Sequence, residues 1–414
     1  MPGTRCTVTY PWCSLRKAPG RQNDFSMTDA GRIRIAQVVA SLEVGGAERI
    51  AITLAGGLRS YGWDTRLVTL AGNSNDSGLT QPLRVDAERQ GVEVTGVHYK
   101  NLWDAESRNR LKRYFQDNQI ELVHVHNRPV DWQLVVLTWS LGITTLYTRH
   151  MVCPDMTFRA RWIYRLAGGL APKTVAVSKV VGEHLTKVEW LPKSKLEVLY
   201  NGIDTERFRP PTADERAGKR AELGLNDDDF FWFAALRLDP QKGLSYLLKA
   251  ISQLPENPYR KIAIAGDGPE GEELKALCKT LNIDDRLSFM GRRQDVSELL
   301  WAADAYLCSS LGEGHPIALL EAMSAGVPII APRLAVMREI AFDDSAFLYG
   351  PDKGGLTDSH DPAVIAEAML ALESNPATLQ KIGERGREHV VLRYPEQLTL
   401  EAHDELYRRL LADR

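Results

Sequence analysis

AYLCSSLGEGHPIALLEAMSAGVPIIA, residues 305–331, holds the pattern on which the fold turns. An apolar strand ends at Ser310, a loop carrying Gly312 and Gly314 follows, and an almost wholly apolar helical stretch runs from Ile317 to Ala325. A second strand, VPIIA at 327, closes the unit. Strand, glycine loop, helix and strand in that order build a parallel sheet covered on both faces. Pro316 falls where the first helical position is expected. The N–H groups of such a loop and helix start have no intrahelical partners and carry positive partial charge, which suits an anion or hydroxyls. Glu313 lies in the loop, placed to accept from hydroxyls, and Glu321 is the one charge of the apolar helix. A buried carboxylate is costly unless fully hydrogen-bonded. Two readings satisfy it: a ribose diol, or an arginine from a neighbouring strand.

The same rhythm extends in both directions. FFWFAAL at 230, KIAIAG at 261 and LSFMG at 287 precede the decisive unit, and AFLYG at 346 follows it. An earlier series comprises IRIAQVVA at 33, RLVTL at 66, VEVTGV at 92, LVHVH at 122, TTLYT at 144, TVAVS at 174 and LEVLY at 196. Between the series, Phe208 to Asp214 (FRPPTAD) has two consecutive prolines and no periodicity, so it reads as a linker. The expected fold class is α/β, with two Rossmann-like doubly wound parallel-sheet domains facing a central cleft. They span 31–206 and 215–390, joined by a linker at 207–214. A charged amphipathic helix in 391–414 is free to pack back on the first domain. Open α/β sheets bind ligands beyond the carboxyl ends of their strands, so the loops of both domains share the cleft.

Composition narrows the classes. A chain of 414 residues, 44% hydrophobic and 25% charged, is an ordinary globular protein large enough for two cores. A net charge of -3 supplies no field for nucleic acid. Cys6, Cys13, Cys153, Cys278 and Cys308 are odd in number and scattered, which fits neither a disulfide framework nor a zinc site and suits a reducing compartment. No window nears the roughly 18 apolar residues of a membrane span. Residues 1–30 mix Arg5, Arg16, Lys17 and Arg21 with Pro and Gly and have no apolar core. They read as a disordered extension rather than a secretory signal, with Met27 an alternative start.

Three further loops follow strands. In Arg237-Leu238-Asp239-Pro240-Gln241-Lys242-Gly243, Asp239 and Pro240 look like the cap and first residue of a helix continuing through LSYLLKAISQL. Lys242 then sits in the first turn, where the macrodipole disfavours a cation by about 0.3–1 kcal/mol unless an anion binds. With Arg237 it neutralises a diphosphate, or both are solvated surface charges. Gly45-Gly46-Ala47-Glu48 allows close backbone approach but is not a GxGxxG, so it carries little alone. Gly266-Asp267-Gly268-Pro269-Glu270 reads best as a tight turn capped by Asp267. His150 closes the strand TTLYTRH, either structural or donating to a ligand hydroxyl or a leaving phosphate. His124 and His126 share a strand face without a third ligand at metal spacing.

Taken together, GGAE at 45, NGID at 201, RLDPQKG at 237, AGDGP at 265 and the E-x7-E of EGHPIALLE resemble the family 4 retaining glycosyltransferases of the GT-B fold, the glycosyl transferases group 1. The resemblance runs from about Arg32 to the C-terminus. It implies an acceptor-side first domain and a second domain that binds a UDP- or GDP-sugar. Arg237 and Lys242 would hold the diphosphate and stabilise its charge as it leaves, and Glu321 would bind the ribose. Glu313, with the amides of Gly314, His315 and Ile317, would hold the transferred sugar. Gly46 would approach the phosphates, His150 would contact the donor sugar, and Arg292 and Arg293 would line the base pocket. The implied catalytic set is Arg237, Lys242, Glu313 and His150. His315 departs from the family, standing where many members carry Phe, and so bears on which sugar fits. No DxD pair stands in the expected position, so neither a metal nor another cofactor is expected. Retaining transfer to a saccharide or lipid-linked acceptor, in the synthesis of a cell-surface glycan such as lipopolysaccharide or of a glycolipid, is what the family implies.

Two segments mix cations with aromatics: Phe158 to Arg165 and Arg108 to Phe115. They read as half-buried helices with a solvated face, the favoured view, or as basic amphipathic helices on anionic lipid. The expected location is the cytoplasm, with the inner face of the cytoplasmic membrane as the contact. A competing class is a catalytically inactive scaffold or sensing subunit. Such a protein tends to lose its charged site residues, whereas Arg237, Lys242, Glu313 and Glu321 are all present.

Overall fold

The computed structural model describes residues 33–42, 45–71, 82–126, 131–153, 156–341, 346–350 and 360–413, and the extension expected over residues 1–30 lies outside them. The first sheet contains β1 (Arg34–Val39), β2 (Asp64–Thr69), β3 (Val94–Gly96), β4 (Leu122–Val125), β5 (Thr144–Arg149), β6 (Lys173–Ala176) and β7 (Leu196–Val198). The second contains β8 (Phe230–Ala235), β9 (Arg260–Ala265), β10 (Leu287–Gly291), β11 (Ala305–Leu307), β12 (Ile329–Pro332) and β13 (Phe347–Tyr349). All pairings are parallel, in the orders 3-2-1-4-5-6-7 and 10-9-8-11-12-13. Each apolar run quoted above is one of these strands. Successive residues serve opposite faces: Trp232 and Ala234 enter one core of the second domain, Phe231 and Phe233 the other.

Strand order reverses between β1 and β4 and between β8 and β11. Ligands of doubly wound sheets bind at such switch points. The loops at 45–48, 237–243 and 308–316 follow β1, β8 and β11, so all three sit at a switch point.

The domains exchange chain twice. Thr212 and Glu215 form a capping box that starts the helix Ala213–Glu222, so the proline segment ends inside the span read as linker. On the return, the chain after the helix Pro376–Arg393 pairs with the outgoing one: Ile203 N–H donates to Tyr394 O at 2.9 Å and Glu396 N–H to Ile203 O at 2.8 Å. A Cβ on Gly202 would stand 2.5 Å from Pro395 O, which explains the glycine of NGID. The terminal helix Glu396–Ala412 then buries Leu400, Leu406, Tyr407 and Leu410 against Ile35, Leu54, Leu58 and Trp63. The chain's last helix thus completes the core of its first domain. Among the described residues no helix is long and apolar enough to cross a membrane.

Candidate functional site

In the second domain the loops after β8 and β11 are knitted together. Leu311 N–H donates to Gln241 O at 2.7 Å, Gln241 Nε2 to Gly312 O at 2.9 Å, and Ser309 Oγ to Lys242 O at 2.8 Å. Lys242 Nζ donates to Glu313 Oε1 at 2.6 Å, and Ser310 Oγ donates to the same oxygen at 2.7 Å. Burial lowers the Lys242 pKa, but the Glu313 carboxylate, together with Cys308 and Asp239, more than offsets this and leaves it raised. The two residues assigned to diphosphate and sugar therefore hold one another. Arg237 lies beyond the end of β8, largely exposed, with Nε 3.9 Å from Asp239.

The helix expected to run on from Pro240 is interrupted. Pro240–Lys242 is one 3₁₀ turn, capped as expected by Asp239, whose side chain accepts from Gln241 N–H. Gly243 then adopts φ 62° and the α-helix begins at Leu244. Only glycine fits here, because a Cβ would also overlap Ser309 O. Lys242 thus ends a turn of its own rather than opening a long helix, and the macrodipole penalty does not apply. Its ion pair replaces that argument. The 266–270 segment is the predicted turn, with Gly268 N–H donating to Asp267 Oδ1 at 2.8 Å. It braces the donor-side loop: Leu238 N–H donates to Asp267 O and Glu270 N–H to Leu238 O, both at 3.0 Å.

The first domain meets these loops across the cleft. Gly46 and Ile317 are the first residues of the helices Gly46–Gly57 and Ile317–Ser324. They face each other so closely that a Cβ on Gly46 would lie 3.5 Å from Ile317 Cγ1. Two positive helix ends from two domains thereby converge. Glu321, 5% exposed, accepts from Arg49 Nη1 at 2.8 Å. This is an arginine partner, as one reading held, but it comes from the opposite domain rather than a neighbouring strand. Gly314 lies against the backbone of His150, where a Cβ would overlap the carbonyl oxygen and stand 2.6 Å from its carbon. Glu339 crosses over as well, accepting from Lys179 N–H at 2.7 Å, Val180 N–H at 3.1 Å and the Tyr200 hydroxyl at 2.7 Å. Burial lowers the Arg292 pKa; Asp86 and Asp267 oppose this and Arg49 adds to it, which puts Arg292 near the same cleft. Arg293 is instead committed to Asp295, at 2.8 and 2.6 Å.

His315 is buried between Tyr200 and Tyr394, its ring centroid 5.7 and 5.4 Å from theirs. Neither ring nitrogen has a hydrogen-bond partner among the described residues. The imidazole fills an aromatic slot as Phe would and makes no side-chain hydrogen bond there. Burial pushes its pKa from 6.5 down to about 3. Below pH 6.5 the unfolded chain takes up a proton that the folded ring refuses, so stability is complete above that pH and declines toward about 3. His315→Phe is expected to stabilise the fold by about 1–3 kcal/mol at neutral pH. The gap widens by about 1.4 kcal/mol per pH unit on acidification. Urea unfolding of both proteins above and below pH 6.5 measures it, and a constant gap would refute the buried neutral ring.

Sequence reading missed Arg49, Tyr200 and Glu339. Arg49 carried a signal: it follows the Gly45-Gly46 loop and stands close behind the start of the helix Gly46–Gly57, where a cation is disfavoured. Tyr200 and Glu339 carried none, since only domain closure gives them partners.

Residues 44–207 match the family described as Glycosyltransferase Family 4, and residues 215–389 the one described as Glycosyl transferases group 1. The chain is 28% identical over 310 residues to a putative glycosyltransferase, EpsD, of Bacillus subtilis (strain 168), covering 72% of this chain and 79% of the relative. It is 26% identical over 315 residues to the UDP-Gal:alpha-D-GlcNAc-diphosphoundecaprenol alpha-1,3-galactosyltransferase of Escherichia coli, covering 73% and 80%. Among solved structures, Anabaena HepE in complex with UDP-glucose superposes with a TM-score of 0.78 at 19% identity, over 91% of this chain and 100% of that one.

Proposed function

This chain belongs to the family 4, group 1 glycosyltransferases, and from that premise we propose retaining transfer from a UDP- or GDP-sugar to a saccharide or lipid-linked acceptor in cell-surface glycan or glycolipid synthesis. One observation carries the donor reading. Two helix N-termini, at Gly46 and Ile317, converge from opposite domains beside Lys242. Converging positive ends beside an ammonium suit an anion such as a diphosphate. The retained Glu313–Glu321 pair suits hydroxyls on either side of it.

Donor binding exchanges two protein ion pairs for ligand contacts. The diphosphate draws Lys242 from Glu313, which turns to the sugar hydroxyls, and the ribose diol takes Glu321 from Arg49. Such exchange is cheap because a buried ion pair gains little net stability over its desolvation. As the glycosidic bond breaks, negative charge grows on the diphosphate, where Lys242, Arg237 and the loop amides stand in place. These groups supply the stabilisation a divalent metal gives elsewhere, so the reaction runs without one. Thermal shifts with UDP, GDP and ADP, followed by donor-hydrolysis assays in chelator, test this. Nucleotide binding with no turnover of any donor would favour the scaffold reading instead.

A membrane surface belongs to the same reading. The helix Ala105–Asp117 exposes Glu106, Arg110, Lys112 and Arg113 and is an ordinary solvated helix. The helix Phe158–Leu170 is not, since it buries Tyr164 and Ala167 while exposing Phe158 (67%), Trp162 (44%), Leu166 (65%) and Leu170 (37%). An apolar stripe facing outward beside Arg159 fits a bilayer interface. Sedimentation with vesicles rich in phosphatidylglycerol is expected to retain the wild type. Phe158→Ser with Trp162→Ser should weaken binding by more than about tenfold. Equal partitioning of both proteins would remove this surface.

A further inference from the structure

One cluster in the first domain meets the proposed donor site at His150 alone. Six side chains from β1, β4 and the residue after it, β5 and the residue after it, and the terminal helix form an unbroken hydrogen-bond chain. His124 Nε2 meets Thr148 Oγ1 at 2.7 Å and His124 Nδ1 meets the Tyr407 hydroxyl at 2.6 Å. Gln37 Nε2 donates to that hydroxyl at 2.9 Å, Gln37 Oε1 meets His126 Nε2 at 2.8 Å, and His126 Nδ1 meets His150 Nε2 at 3.3 Å. Gln37, His124, His126 and Tyr407 are essentially inaccessible to solvent. Burial lowers the pKa of all three histidines, to about 3 for His150, so the rings are neutral and each has one N–H and one bare nitrogen.

A chain of neutral groups, each with one donor and one acceptor to spare, has only two consistent directions. The Gln37 amide selects between them. With its nitrogen on Tyr407, the phenol must donate onward to His124 Nδ1, and the His124 proton sits on Nε2 toward Thr148. On the other side Gln37 Oε1 requires the N–H of His126 at Nε2, which leaves His126 Nδ1 bare. His150 must then supply the proton for that contact from Nε2, and its own Nδ1 is left bare.

We propose that Gln37, its amide held by Tyr407, acts through His126 to set the tautomer of His150 so that Nδ1 is offered to the cleft as an acceptor for a hydroxyl of the bound sugar. A phosphate oxygen without a proton has nothing to give a bare nitrogen, so of His150's two expected ligands this selects the sugar hydroxyl. Gln37, His126 and Tyr407 are then positioning residues. The consequence for sugar rests on the transferase reading; the tautomer does not.

The test uses the full chain labelled with ¹⁵N-histidine, without ligand, and His150 is assigned by its loss in His150→Gln. Long-range ¹H–¹⁵N spectra should show one His150 tautomer, protonated at Nε2. Tyr407→Phe keeps the packed ring but frees the amide, so both tautomers should appear. Donor turnover should fall about tenfold, the worth of one ordinary hydrogen bond, with KM within about twofold. A wild-type His150 protonated at Nδ1, or a Tyr407→Phe spectrum unchanged from wild type, overturns the proposal, and the first needs no variant to fold. Failure of the transferase reading looks different: no donor is turned over while the spectrum still decides the tautomer.

Discussion

Lys242→Ala is expected to lower kcat for donor cleavage by about 10²–10³-fold, the usual effect of removing one preorganised group from developing negative charge. On the proposed reading, donor binding has already drawn Lys242 from Glu313, its partner at 2.6 Å in the free site, and its loop is braced by Ser309, Leu311 and Gln241, so the ammonium would be in place before charge grows on the diphosphate. The contrast with Glu321→Ala makes the result specific. On the proposed reading Glu321 would hold the ribose, a part of the donor where no charge changes, so its loss should raise the donor KM or Kd with little change in kcat. Removing Lys242 also strips Glu313 of its partner, so thermal unfolding must accompany the kinetics, and Lys242→Arg should recover part of the rate. Should Lys242→Ala turn over donor at the wild-type rate, the diphosphate is held elsewhere.

Gly314→Ala is expected to reduce kcat by at least about 100-fold, since a misplacement near 1 Å at the reacting centre costs that much. The glycine is not in the left-handed region, so alanine introduces no local strain. Its cost falls on the other domain: the new methyl would overlap the His150 carbonyl oxygen and stand 3.1 Å from Met151 Cα, both backbone atoms that cannot swing aside. The cleft must open to admit it. Both domains should still fold, as read by circular dichroism, while the radius of gyration by X-ray scattering rises. A variant with wild-type kcat and unchanged scattering would show that His150 and Gly314 do not meet during turnover.

The candidate site was legible to different depths. Glu321 announced itself because a lone carboxylate in an apolar helix needs a partner, but the partner's identity was not local information. Arg49 lies 272 positions away on another domain. Lys242 is legible by its position after a strand, but the macrodipole argument for it fails, because Gly243 breaks the helix to let Ser309 O approach. His124 and His126 read from the sequence only as a pair on one strand face lacking a third metal ligand. Their role needs Tyr407, from a helix whose sequence shows only an amphipathic pattern.

What the amino-acid order determined on its own is the architecture: seven and six strands, the linker, and the glycine loops that fall at both switch points. Those follow from hydrophobic periodicity and turn chemistry, which act between near neighbours and are written in short windows. Only the tertiary structure decided which polar group meets which: Lys242 with Glu313, Arg49 with Glu321, Gln37 with Tyr407, the last pair separated by 370 positions. Such pairing depends on sheet order, cleft closure and the return of the last helix, and no local preference of a lysine or a histidine encodes any of these.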